Sequence, residues 1–271
     1  MFNIISKTKY AYFFSGTLTV LSILSLFVWS LKPDIDFTGG TRMVVKFANN
    51  IPAKEEVSGI LSSLNLRSLT LQSSEGNSMI VRYAADDDKT NTDVWTAING
   101  KYPDASQSSV DFINSTVSKE LKSKSFSAII LAILTIMAYI AWAFRKVSRP
   151  VESWKYGAGA VIALAHDVLI TAGVFSVLGH FYGIEVGIPF IAALLTILGF
   201  SVHDTIVVYD RTRENLLRSS SKELFPDVVN KSLNETLVRS INTSLTVIIT
   251  LLAIYLFGGV SIKYFSLALL V

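Results

Sequence analysis

The sequence predicts an α-helical polytopic membrane protein with an α+β, ferredoxin-like domain inserted after its first span. Three observations predict it. Of 271 residues, 51% are hydrophobic and only 17% charged, whereas an average soluble domain carries roughly 25% charged residues. The apolar residues gather in blocks of about 20, the length a helix needs to cross about 30 Å of hydrocarbon. Between the first two blocks lies one long polar segment with its own alternation of strand and helix patterns.

Taken in order, the expected spans are residues 10–31, 125–144, 156–178, 186–209 and 238–257, and residues 264–271 begin a further apolar segment too short to span. The first is longer than a signal-peptide core and no small-residue cleavage site follows it, so it reads as a retained anchor. The chain divides accordingly into residues 1–31, 32–124 and 125–271. Within the inserted domain "TRMVVKF" (41–47) alternates as a strand does, and "AKEEVSGILSSLNL" (53–66) places Val57, Ile60, Leu61 and Leu64 at helical spacing. Residues 69–83 read as two strands around a turn at Glu75 to Asn77. A helix over 91–102, capped by Asn91 or Thr92, and a last strand over 108–114 complete a β-α-β-β-α-β order, the split pattern of ferredoxin-like domains. That fold hosts many functions and decides none.

Charge placement sets the expected orientation, because Lys and Arg beside a span favour the cytoplasmic side. Lys7 and Lys9 precede the first span; Arg145, Lys146, Arg149 and Lys155 lie between the second and third; Arg211, Arg213, Arg218, Lys222 and Lys231 lie between the fourth and fifth. The N-terminus is therefore expected inside and residues 32–124 outside. A formal net charge of +3 gives no electrostatic footprint for nucleic acid. With no cysteine, the external domain is expected to be held by its core without disulfides.

The polar residues inside the spans carry the functional reading. An ionisable group at the centre of a membrane helix costs roughly 2.5 to 3.5 kcal/mol on the insertion scale, so such groups face the bundle interior and mark ion pathways. The alternative for any one of them is an interhelical hydrogen bond. His166 and Asp167 lie mid-way along the third span, His203 and Asp204 in the inner half of the fourth. In the fifth span Ser232, Glu235, Thr236, Arg239, Asn242, Thr243, Thr246 and Thr250 form a polar stripe, from which Leu237, Ile241, Leu245, Ile248, Ile249 and Leu252 fall largely away. Because the fourth span descends and the fifth ascends, Asp204 and Arg239 are expected at similar depth. An acid that exchanges protons beside a fixed positive charge suits a proton relay.

Three stretches resemble a known family. "DIDFTGGT" (34–41), "GFSVHDTIVVYDRTREN" (199–215) and "LNETLVRSINTSLT" (233–246), in this order, are similar to the SecF subunits of SecDF protein-export complexes, relatives of the RND transporters. The resemblance implies a six-span plan, its sixth span incomplete here, with one external domain between the first two spans, in a bacterial or archaeal plasma or inner membrane. It implies SecD as partner, the SecYEG channel and a translocating polypeptide as further contacts, and a proton-motive force as the driving source. It implies roles in proton passage for the fourth-span aspartate and fifth-span arginine, here Asp204 and Arg239. Asp36, Gly39, Gly40, Asp210, Arg211, Arg213 and Glu214 belong to the matching motifs. The two glycines suit a tight, backbone-close turn, and the four charged residues a cytoplasmic network of ion pairs. His203 departs from the pattern, since many members carry asparagine there.

Two other classes are weighed. An RND-like, proton-driven exporter of small molecules or lipids shares the intramembrane acid, but its members carry larger external domains and a second half. An intramembrane enzyme would rely on the pairs His166/Asp167 and His203/Asp204 as metal ligands. Adjacent helical residues diverge by about 100° and no third ligand stands at a usable spacing, so neither a metal nor a catalytic residue is expected. No nucleotide site or other cofactor motif is present, which leaves an ion gradient as the expected driving force; a carboxylate can serve H⁺ or Na⁺.

Overall fold

The computed structural model describes residues 2–74, 76–85, 87–144, 152–219 and 223–271. Arg145, Lys146, Arg149 and Lys222 of the inner basic clusters, and Glu75 of the expected turn, lie outside them. After a single 3-10 turn, Ile5–Lys7, the first span is α1 (Thr8–Trp29). It stops two residues before the expected end because Ser30 adopts φ +57°, a left-handed conformation that a helix cannot continue through.

Pro33–Lys124 is one of two compact units. It contains α2 (Ile35–Thr38), β1 (Gly40–Lys46), α3 (Lys54–Leu61), β2 (Arg67–Ser74), β3 (Ser78–Ala84), α4 (Asp88–Lys101) and β4 (Ser106–Ile113). The strands form one antiparallel sheet in the order β2-β3-β1-β4, the ferredoxin-like arrangement. Alternate residues Met43, Val45, Met79 and Val81 leave one face of the sheet and meet Val57 and Leu61 of α3 and Val94 and Ile98 of α4 in a closed core. The period-two and helical spacings of the sequence thus bury their apolar sets against each other.

Two details of this domain differ from the sequence expectation. The helix expected over 53–66 ends at Leu61 and tightens into a 3-10 turn, Ser62–Leu64, which Asn65 closes in the left-handed region. The second helix starts earlier than expected and is capped by Asp87, whose carboxylate accepts from the Thr90 amide at 2.6 Å, and not by Asn91 or Thr92. Asn91 turns inward instead, its Oδ1 accepting from the hydroxyls of Thr41 (3.0 Å) and Tyr83 (2.8 Å). An acidic side chain outcompetes an amide at the helix start because it also meets the positive end of the helix dipole.

The "DIDFTGGT" motif builds the entry to this domain. Asp34 caps α2 through the Ile35 amide (2.7 Å) and pairs with Arg42 (3.7 Å) and Arg82 (3.5 Å). Asp36 lies in the first turn of α2. Gly39 ends that helix at φ +74°, and Gly40 enters β1 at φ +118° so close to β3 that a Cβ there would lie 2.6 Å from the Tyr83 carbonyl oxygen. Only glycine meets both conditions.

The other unit comprises the first 32 residues and residues 125–271. After α5 (Ser115–Ala143) come α6 (Ser153–Tyr182), α7 (Ile188–Arg218), α8 (Phe225–Phe257) and the short α9 (Val260–Leu270). Among the described residues, five helices are long and apolar enough to cross a membrane. Large apolar side chains such as Phe13, Phe27, Leu131 and Phe257 lie exposed along them, a surface that water would penalise and lipid tails would not. The chain is an α-helical polytopic membrane protein. α8 begins thirteen residues before the expected start of the fifth span, since the polar residues from Phe225 onward continue the same helix.

Helix α1 packs on α6, α6 on α7, and α7, α8 and α9 on one another. Small residues make the α1–α6 seam: Ser22 and Ser25 are buried against Gly173, whose carbonyl accepts from Ser25 Oγ at 3.0 Å. Ser176 Oγ donates to the carbonyls of Ser25 (2.9 Å) and Ser30 (2.8 Å). At the opposite end of α1, two asparagines one turn apart on α8 hold the start of the chain. Asn230 Oδ1 accepts from the amides of Ile4 and Ile5, Asn234 Oδ1 accepts from the amide of Phe2, and both side-chain amides donate to the Phe2 carbonyl.

Candidate functional site

A cavity of about 480 Å³ opens among α1, α6, α7, α8 and α9. His166, Asp167 and Thr171 of α6 line it together with His203 and Asp204 of α7 and Thr243 of α8. Neighbouring residues on a helix point about 100° apart. The cavity is wide enough to receive both members of each His-Asp pair, which resolves how a membrane helix accommodates two consecutive ionisable residues.

The two acids differ in their partners. Asp167 Oδ1 lies 2.8 Å from Nδ1 of His166, and Nε2 of the same ring lies 2.6 Å from Ser15 Oγ of α1. Asp204 is half-buried and, among the described residues, makes no hydrogen bond or ion pair within its own chain. His203 is exposed into the cavity. Ser15 carried no signal in the sequence, being one of four serines in the first apolar span.

The polar stripe of α8 is buried at some positions and exposed at others. Ser232 and Thr236 are buried against the rest of the bundle and Thr243 lines the cavity. Arg239, Asn242, Thr246 and Thr250 are exposed, and Arg239 is not among the residues that line the cavity. The expected pairing of Asp204 with Arg239 is absent among the described residues: the structure sets the acid in the cavity and the guanidinium on an outer face of the same helix bundle. The reason is not angular, since Arg239 stands within about 60° of positions 232, 236 and 243 around the helix; it lies in which stretch of α8 the neighbouring helices cover. Ile241, Leu245, Ile248, Ile249 and Leu252 are exposed as well and Leu237 is half-buried, so exposure does not separate the apolar residues from Arg239, Asn242, Thr246 and Thr250, and Ile248 also lines the cavity.

Below the cavity, α7 and α8 are bound by a polar network at the ends that carry the basic residues. Arg211 Nε meets Glu235 Oε2 at 2.6 Å, and Arg211 also pairs with Glu214. Asn215 Nδ2 donates to both Ser232 Oγ (3.0 Å) and Glu235 Oε2 (2.7 Å). Arg218 pairs with Glu214 at 2.7 Å, and Arg213 with Asp210 at 3.5 Å. The expected ion pairs of Asp210, Arg211, Arg213 and Glu214 form, and Glu235 of α8 joins them. Its signal was the carboxylate at the inner end of the stripe, one turn before Arg239.

This arrangement of a half-buried free acid, a bonded His-Asp pair and an outward-facing arginine is accompanied by likeness to known proteins along nearly the whole chain. Residues 93–271 match the family described as "Protein export membrane protein SecD/SecF, C-terminal". The chain is 39% identical to the protein translocase subunit SecF of Thermobaculum terrenum over 98% of this chain and 87% of that one. It is 38% identical to the SecF subunit of Synechocystis sp., over 97% and 85%. It is 35% identical to the protein translocase subunit SecDF of Bacillus subtilis, over 98% of this chain and 35% of that longer one. The crystal structure of SecDF from Thermus thermophilus superposes with a TM-score of 0.86 at 29% identity, covering 99% of this chain. Because that coverage is 36% of the SecDF chain, the present chain spans about a third of it.

Proposed function

Since the chain belongs to the SecD/SecF protein-export family, we propose that it is a SecF-type membrane subunit that works with a SecD-type partner to drive late steps of protein translocation through the Sec channel with the proton-motive force. In this reading residues 32–124 face the outside and meet the emerging polypeptide, and the N-terminus lies in the cytoplasm. The observation that carries it is Asp204: an acid in a cavity of the helix bundle with no ion pair or hydrogen bond of its own among the described residues. The outer face of α8 supports a partner. Arginine and asparagine set against lipid are costly, roughly 2.5 to 3.5 kcal/mol for a central arginine, so Arg239 and Asn242 call for a polar helix from a second subunit. A proton crossing the membrane yields roughly 2.3 kcal/mol per 100 mV, enough to bias a conformational cycle when several protons are used.

The test is Asp204→Asn, which keeps size and hydrogen bonding but cannot release a proton. The expected result is a variant that inserts, accumulates normally and co-purifies with a SecD-type partner, yet gives no proton-driven enhancement of export; Arg239→Met behaves alike, and His203→Asn retains most function. Export at the parental rate by Asp204→Asn under a proton gradient overturns the proton role. Failure of that variant to accumulate assigns the acid to folding instead.

A further inference from the structure

His166 is held at both ring nitrogens, by Asp167 at Nδ1 (2.8 Å) and by Ser15 at Nε2 (2.6 Å). An ionised carboxylate only accepts, so it fixes the neutral ring's proton on Nδ1 and leaves the Nε2 lone pair to accept from the Ser15 hydroxyl. His166 and Asp167 line the same cavity as Asp204, while Ser15 does not line it; Leu18, one turn further along α1, does. The three side chains therefore run from the cavity into the contact between α1 and α6.

We propose that His166 is a second proton-carrying residue of this cavity, with Asp167 as its positioning residue and the Ser15 hydroxyl as the group that passes the proton to its ring, so that one proton is handed between Asp204 and the His166/Asp167 pair. The proposal rests on the proton-driven reading of Asp204. The step balances simply. The O–H bond of protonated Asp204 breaks and its proton enters cavity water. The Oγ–H bond of Ser15 breaks as an Nε2–H bond forms on His166, and Ser15, half-buried beside the cavity and so still open to water, takes a replacement proton from the cavity through a water chain. Asp204 becomes a carboxylate and His166 an imidazolium beside the Asp167 carboxylate. Cavity charge is −1 before and after, so no further charge has to be desolvated. The titratable groups lining the cavity are His166 and Asp167 from α6 and His203 and Asp204 from α7; α1, α8 and α9 add no charged side chain to it. Ser15 donates to the ring in one state and accepts from it in the other, so proton occupancy reverses a hydrogen bond across the helix contact.

The experiment measures proton flux and proton-driven export in vesicles holding this chain with its SecD-type partner. His166→Gln is expected to lower both by roughly a hundredfold, in the range of a lost proton-transfer group, with insertion and partner binding unchanged. Ser15→Ala is expected to lower them by roughly tenfold, and Ser15→Thr, which keeps the hydroxyl, to restore them. Nitrogen NMR of labelled histidine in a His180→Gln, His203→Asn background should show the single neutral tautomer protonated at Nδ1. Parental flux in His166→Gln alongside loss in Asp204→Asn overturns this inference and leaves the role of Asp204 standing; parental flux in both overturns both. Equal impairment by Ser15→Ala and Ser15→Thr, or a ring protonated at Nε2 when neutral, also overturns it, and these outcomes decide the matter even if His166→Gln does not accumulate.

Discussion

Replacing Gly173 by alanine adds one methyl group at the closest approach of α1 and α6. A Cβ built there lies 2.4 Å from Ser22 Cβ and 2.5 Å from Ser22 Cα. Carbon atoms in contact rest about 3.5 Å apart or more, so the helices must separate by about 1.1 Å, the difference between 3.5 and 2.4. The obstacle includes backbone, so no rotamer change relieves it. The same displacement lengthens three hydrogen bonds across the seam, Ser25 to the Gly173 carbonyl and Ser176 to the carbonyls of Ser25 and Ser30, from 2.8 to 3.0 Å to about 4 Å, beyond bonding distance. At about 0.6 kcal/mol for each interhelical bond in a membrane protein, plus about 1 kcal/mol or more of overpacking, the loss is about 3 kcal/mol. Reversible unfolding in mixed detergent micelles reads it directly. Gly16→Ala, on α1 with nothing within 4 Å of its built Cβ, is the matched control and should gain about 0.5 to 1 kcal/mol from helix propensity. If the two substitutions shift stability equally, or Gly173→Ala is neutral, the seam is not as tightly closed as the reasoning requires.

Two further outcomes test the rest of the chain. Burial pushes the Tyr83 phenol up from 10.0 to about 12, against a smaller opposing effect of the neighbouring Thr41 hydroxyl and with some help from the negative charge of Asp87. Because the folded value lies above the unfolded one, the contribution is fully present below pH 10 and is lost as pH rises towards 12; it amounts to about 3 kcal/mol. Denaturant titration followed by Trp95 fluorescence, with the other tryptophans replaced by phenylalanine, should show that decline in the parent and a flatter profile in Tyr83→Phe. For topology, single cysteines at Ser73 and Glu223 in this cysteine-free chain are expected to be labelled and spared, respectively, by an impermeant thiol reagent on intact cells; the reverse pattern inverts the orientation.

The fold was legible where burial has a single period. Met43 and Val45 on a strand, and Val57 and Leu61 on a helix, point one way in any compact arrangement, and the blocks of about 20 apolar residues leave no other reading. Boundaries were less legible, because caps depend on which polar group wins a local competition, as Asp87 does over Asn91. The cavity acids were legible as expensive residues in apolar runs. The partition of the α8 stripe was not. Helical steps of three and four describe a band on one helix, and only the neighbouring helices decide that Thr236 goes inward while Arg239 goes outward. Ser15 was silent for the same reason: its meaning lies in a ring 151 positions away.

The asparagine clamp on Phe2, Ile4 and Ile5 has a consequence for the order of assembly. Its partners are separated by 225 to 232 positions, so residues 2 to 5 wait for residues 230 to 234 to be made. Until Asn230 and Asn234 emerge and α8 is in place, the amides at the start of the chain have only water to bond. Closing so large a loop is slow in a free chain, with a cost that grows with the logarithm of its length. Here the inserted helices hold both ends near one membrane surface and shorten the search. The clamp thus forms only after α1, α5, α6, α7 and α8 have been threaded.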